Sequence, residues 1–145
     1  MRLADIMTRD VEVLHPDDSM EKAAQKMRDR GIGFLPVCDG KRLLGVISDR
    51  DMAVRVIAEG KDPRLVASRE CLSSPVKYCY EDQEVSDAAQ IMHDEQIRRL
   101  VVLDRHSKQM VGVISLGDIA TNSAEVISGE ALQGISKPPD STKPI

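Results

Sequence analysis

Aromatic residues are scarce in this chain of 145 residues: it holds no tryptophan, one phenylalanine and two tyrosines. Without rings to stack on bases or to anchor a contact, a platform for single-stranded nucleic acid and an aromatic-centred protein interface are both excluded. The core must be aliphatic. Positive charge is not in excess either: 20 Lys and Arg stand against 24 Asp and Glu, a net charge of −4. That balance argues against a basic face for duplex nucleic acid. Long hydrophobic runs are missing. The opening MRLADIMTRD has no apolar signal segment, and runs such as Leu100 to Leu103 span only a few residues, so a cytoplasmic chain with no membrane partner is expected. Cys38, Cys71 and Cys79 are odd in number and form no CxxC pair, which fits buried reduced thiols better than disulfides or a zinc site. His15, His93 and His106 show no metal-ligand spacing. A nucleophile elbow, HExxH and a Walker loop are absent, and Gly31-Ile32-Gly33 lacks the third glycine of a dinucleotide loop. No enzyme is expected.

What the chain has is a repeat. A shift of 65 aligns residues 5–39 with 70–104, with 11 identities, among them Val11 with Val76, Asp17 with Asp82, Ala23-Ala24-Gln25 with Ala88-Ala89-Gln90 and Met27 with Met92. A two-residue insertion around Arg105 to Gln109 changes the shift to 67, after which Gly45-Val46-Ile47-Ser48 meets Gly112-Val113-Ile114-Ser115 and Asp51 meets Asp118. Each copy reads as a short strand (Val11 to Leu14; Val76 to Cys79), a helix, a hairpin and a second helix. Met20, Ala23, Ala24, Met27 and Val85, Ala88, Ala89, Met92 make the i, i+3, i+4, i+7 stripe of one buried helix face. The hairpin strands are Phe34 to Cys38 and Leu43 to Ile47, then Leu100 to Leu103 and Met110 to Ile114. Second helices are expected from about Arg50 to Glu59 and from about Asp118 to Ile127.

A 50-residue unit is marginal alone, so the pattern predicts an α+β fold in which two βαββα units pack with pseudo-twofold symmetry into one globular module. The expected boundaries are 1–60 for the first unit, 61–70 for a linker, 71–127 for the second unit and 128–145 for a C-terminal tail, extended or mobile over Ser136 to Ile145. Exposed aliphatic helix residues predict a homodimer.

The recurring Ser-x-x-Asp at a strand end, Ser48 to Asp51 and Ser115 to Asp118, carries the chemistry. A helix start offers free N–H groups to a phosphate, with the serine hydroxyl as a further donor, and a carboxylate three residues on can accept both hydrogen bonds of a ribose diol. Arg50 adds charge in the first copy, whereas Leu116-Gly117 replaces Asp49-Arg50 in the second. The same four residues also suit a capping box that needs no ligand. Both readings stand at this point.

The order strand, helix, LPV-type strand, hairpin and GVISxxD, twice over residues 3–125, resembles the tandem cystathionine β-synthase (CBS) domain pair, or Bateman module, of the stand-alone bacterial type. Phe34-Leu35-Pro36-Val37 with Gly45 to Asp51, and Ile97 to Val102 with Val113 to Asp118, carry the likeness. The resemblance implies two clefts. One would join Ser48, Arg50 and Asp51 to Pro75, Val76, Arg98 and Arg99; the other would join Ser115 and Asp118 to Thr8, Val11, Gly33 and Phe34. The three arginines make the first the expected phosphate site. The implied role is a regulatory module that needs no cofactor, takes an adenine nucleotide (AMP, ADP or ATP, with NAD and S-adenosylmethionine as further adenosyl candidates) and signals through its dimer arrangement to an effector protein. The alternative is an apo dimeric scaffold with empty clefts.

Overall fold

In a computed structural model, residues 1–73, 75–122 and 125–138 are described, with the side chains of 125–128 left aside. The chain forms two compact units. One is Glu12–Val76; the other joins Met1–Val11 to the chain from Lys77 onward. The segment that leads into each repeat therefore folds with the other repeat, unlike the boundaries read from the sequence.

Two matching sets of hydrogen bonds, related by the 65-residue shift, explain the exchange. A 3-10 turn at Leu3–Asp5 docks on the second repeat, Leu3 N–H donating to the Gln83 carbonyl (2.9 Å), Ala4 N–H to Glu81 (3.0 Å) and Val85 N–H to Met1 (2.9 Å). A matching turn at Ser68–Cys71 docks on the first: Ser68 N–H donates to Asp18 (2.7 Å), Arg69 N–H to Pro16 (3.1 Å) and Met20 N–H to Val66 (2.9 Å). The expected linker 61–70 is thus built into the first repeat.

In the unit Glu12–Val76, helix α1 (Met20–Arg30) is capped by the Ser19 hydroxyl and stopped by Gly31, whose φ of 65° is open to glycine at no steric cost. Strands β1 (Phe34–Asp39) and β2 (Arg42–Ser48) pair antiparallel. Helix α2 (Asp49–Met52) runs into one π turn, Ala53–Ile57. Leu14, Met20, Ala23, Leu35, Val37 and Ile47 are wholly buried at the centre. The expected strand Val11 to Leu14 is reduced to one parallel bridge between Leu14 and Val37. Pro36 is the cause: two residues back, the ladder needs an N–H that proline lacks.

The other unit has Val101 at that position, and there strand β3 (Tyr78–Tyr80) forms, parallel to β4 (Arg99–Leu103), which pairs antiparallel with β5 (Met110–Ser115). Helix α3 (Val85–Glu95) buries Val85, Ala88, Ala89 and Met92 against Leu3, Leu100 and Ile114. Helix α4 (Leu116–Asn122) follows β5, and α5 (Glu125–Ser136) packs on α3. The tail was expected to begin at 128, but the chain stays helical to Ser136 because Ala131 is fully buried and Gly134 lies against His93, where a Cβ would come within 2.4 Å of the ring. Gln96 donates from Nε2 to the carbonyls of Gly134 (3.2 Å) and Lys137 (2.8 Å) and so caps α5. The rest of the expected tail, 139–145, lies outside the described residues. All three cysteines are free and buried, and burial pushes the Cys38 thiol up to about 11 and Cys79 to about 12. No helix among the described residues is long and apolar enough to cross a membrane.

The exchange makes a quantitative prediction. Leu3 is fully buried in the unit that holds both tyrosines, so Leu3→Ala should destabilise that unit by about 2–5 kcal/mol. Urea unfolding followed by tyrosine fluorescence measures it, and a loss below about 1 kcal/mol would contradict the docking.

Candidate functional site

Strand β2 ends at Ser48, whose extended backbone turns the chain into α2. The Ser48 hydroxyl accepts from Asp51 N–H (3.1 Å), while Asp51 Oδ2 accepts from Ser48 N–H (2.8 Å) and from the Ser48 hydroxyl (2.9 Å). A third donor, the Ser73 hydroxyl, reaches the same oxygen. Arg55 Nε stands 3.6 Å from Oδ1. Burial alone would raise the Asp51 pKa, but the Ser73 and Ser48 hydrogen bonds and the Arg55 charge outweigh it, leaving it below the ordinary carboxylate value. Asp51 is 9% exposed. Its capacity as an acceptor is largely taken up by its own chain.

The second motif begins alike, with Ser115 N–H donating to Asp118 Oδ2 (2.9 Å) and Asp118 N–H to the Ser115 hydroxyl (3.0 Å). There the likeness stops. Thr8 stands where Ser73 does and makes the matching backbone pair with Val113 (2.9 Å each way), as Ser73 N–H does with Val46 (2.9 Å). No hydroxyl of Thr8 reaches Asp118, and among the described residues Asp118 Oδ1 has no hydrogen-bond partner.

The flanking residues differ in charge. Gly33 approaches Asp49 so closely that a Cβ would meet its carboxylate oxygen at 2.5 Å, and Asp49 N–H donates to the Gly33 carbonyl (2.9 Å). In the other copy the pair is Arg98 and Leu116, joined by the same backbone bond (2.8 Å). An acid sits over a bare glycine in one repeat; an arginine meets a neutral residue in the other. Arg98, Arg99, Ser115, Leu116, Gly117 and Ala120 line a cleft of about 440 Å³, a size suited to a small-molecule ligand. The guanidinium groups of Arg50, Arg98 and Arg99 make no ion pair among the described residues.

The expected residues divide between the units. Gly33, Phe34, Ser48, Arg50, Asp51, Pro75 and Val76 belong to Glu12–Val76, with Phe34 opposite Ser48 in the sheet register. Thr8, Val11, Arg98, Arg99, Ser115 and Asp118 belong to the other, with Arg99 opposite Ser115. Arg98 and Arg99 thus flank the serine motif of their own unit. Ser73, Arg55 and Asp49 are the functional neighbours that sequence reasoning missed. Ser73 was within reach, since the 65-residue shift aligns it with Thr8. Among the described residues no three His, Cys, Asp or Glu side chains are grouped to hold a metal ion.

Known proteins are similar to this chain in sequence and fold. YhcV of Bacillus subtilis, a CBS domain-containing protein, is 35% identical over 133 residues, 91% of this chain and 93% of its own length. The structure of Hypoxic Response Protein I with two coordinated zinc ions is 30% identical, with a TM-score of 0.78, covering 86% of this chain and all of that one. The CBS domain pair of MJ0100, solved with 5-methylthioadenosine and S-adenosyl-L-methionine, is 25% identical with a TM-score of 0.72 over 83% of this chain and 94% of that one. The CBS domain profile matches residues 3–57 and 68–125, and with the duplicated α+β architecture this makes the chain a member of the CBS domain family, carrying two copies.

Proposed function

We propose that this chain is a non-catalytic regulatory module that binds an adenosyl ligand, an adenine nucleotide before NAD or S-adenosylmethionine, and passes its occupancy to a separate effector through a homodimer. The observation that carries this reading is the cleft at Ser115: two arginines with no ion pair among the described residues line one volume with Ser115, and Asp118, hydrogen-bonded to Ser115, keeps one carboxylate oxygen without a donor among the described residues. Arginine suits a phosphate, by charge and by its forked donors. The open oxygen of Asp118 suits a ribose hydroxyl. This assigns the phosphate to the second motif, not to the Ser48 motif favoured by the sequence, because Asp49 adds negative charge beside Ser48. The adenosyl compounds in the MJ0100 pair support the ligand class. Val54 (46% exposed) and Ile57 (74% exposed), one helical turn apart beyond α2, support a second copy as cover.

A second reading, an apo dimeric scaffold, is favoured at the first motif by the saturation of Asp51, which acts there chiefly as a cap.

Two measurements test these assignments. In calorimetric titrations, Arg98→Ala or Arg99→Ala should weaken AMP binding roughly ten- to a hundredfold while adenosine loses much less, since a hydrogen bond to a charged group is worth about 1.5–3 kcal/mol. Equal losses for both ligands would reject the phosphate role, and no heat with either ligand in the wild type would favour the scaffold. The second is stability. Asp51→Asn should cost about 1–3 kcal/mol, more than the small loss expected from capping alone, and Asp118→Asn about 0.5 kcal/mol or less. Because the folded Asp51 pKa lies below its unfolded value, its contribution is present above the ordinary carboxylate range and is lost as the pH falls through the folded pKa. The gap between wild type and Asp51→Asn should close in that acid window; a gap that stays constant would contradict the assignment.

A further inference from the structure

Tyr78 and Tyr80 flank the buried Cys79 on the three-residue strand β3, with ring centroids 5.6 Å apart in an edge-to-face arrangement. Tyr80 pairs with Leu103 in the sheet, four residues and about 13 Å along β4 from Arg99, so it lies apart from the cleft at Ser115. Over its ring stand the Arg105 guanidinium at 4.3 Å and the Lys108 ammonium at 4.6 Å from the centroid. Lys108 Nζ also donates to Tyr80 Oη (3.1 Å).

Both cations come from the turn between β4 and β5, which holds the two-residue insertion that distinguishes the second repeat. Asp104 organises this turn: its carboxylate accepts from His106 N–H (3.2 Å) and Ser107 N–H (2.7 Å), and its carbonyl from Lys108 N–H (2.9 Å). Lys108 itself has a φ of 61°, where the shorter turn of the first repeat uses Gly40 at 62°. A side chain in that region costs about 1–2 kcal/mol, so the lysine is held against backbone preference. Arg105 is fixed by two 2.8 Å bonds to Asp82, while Lys108 forms no ion pair with a carboxylate among the described residues.

We propose that Tyr80 is a nucleophilic phenol, a covalent modification site that accepts a sulfonyl group from a sulfonyl halide whose oxygens Lys108 and Arg105 steer and then hold. Tyr80 Oη attacks the sulfur, the O–S bond forms, the bond to the leaving halide breaks, and the phenolic proton leaves with the halide. Lys108 stabilises negative charge on Oη as the proton departs. The lowered pKa of Tyr80, owed first to the Lys108 hydrogen bond and then to that of Tyr78, agrees with this geometry, as does the raised pKa of Tyr78.

The test uses benzenesulfonyl fluoride on the full chain, with labelling at each tyrosine followed by peptide mass spectrometry. Tyr80 should label about tenfold faster than the more exposed Tyr78. Lys108→Gly should slow Tyr80 by about tenfold, the equivalent of one hydrogen bond, while its melting temperature stays at or above that of the wild type, because glycine adopts the turn freely. Labelling that follows exposure, Tyr78 first, would overturn the proposal. So would an unchanged Tyr80 rate in Lys108→Gly, or a melting temperature that falls in step with the rate.

Discussion

The Asp51 carboxylate is where the first repeat closes on itself. Ser48 fixes it from the strand end and Ser73 fixes it from the segment that leads toward the second repeat. Ser73 can reach it only because that segment lies along β2, its N–H on the Val46 carbonyl and Leu72 packed over Gly45, where a Cβ would meet the leucine at 3.1 Å. One buried charge therefore joins strand, helix and incoming chain. A charge so enclosed is stable only with such partners, and those partners are the ones a ligand would have to displace.

The second repeat has the same frame without the closure. Thr8 lies along β5 as Ser73 lies along β2, with Met7 over Gly112 in place of Leu72 over Gly45, yet among the described residues one carboxylate oxygen of Asp118 has no donor. Duplication supplied two equal helix starts, and a few substitutions separated their chemistry. Gly33 with Asp49 places a carboxylate close beside one serine motif; Arg98 with Leu116 and Gly117 lines a cleft at the other. The account of function rests on that divergence.

Much of this was legible in the sequence. The 65-residue shift revealed the duplication, the apolar stripes at Met20 and Val85 located the buried helix faces, and Ser-x-x-Asp identified both the caps and the candidate site. The exchange of lead-in segments was not legible, because a periodic sequence is equally consistent with docking on its own repeat or on the other. Pro36 was read as part of a strand motif, although its missing N–H also stops the neighbouring strand at Leu14. The helix to Ser136 has small residues where an apolar stripe would be sought, and Gly134 fits because α3 approaches closely at His93. The place of Arg98 and Arg99 was not legible either, since no local pattern in the sequence shows that they flank the serine motif of their own unit.

Carboxyl carbon NMR of the full chain, with aspartate labelled and AMP added stepwise, tests the divergence of the two motifs most directly. The account predicts that the Asp118 carboxyl resonance moves with AMP while that of Asp51, already satisfied by Ser48 and Ser73, stays in place. Movement of Asp51 with Asp118 unchanged would contradict it.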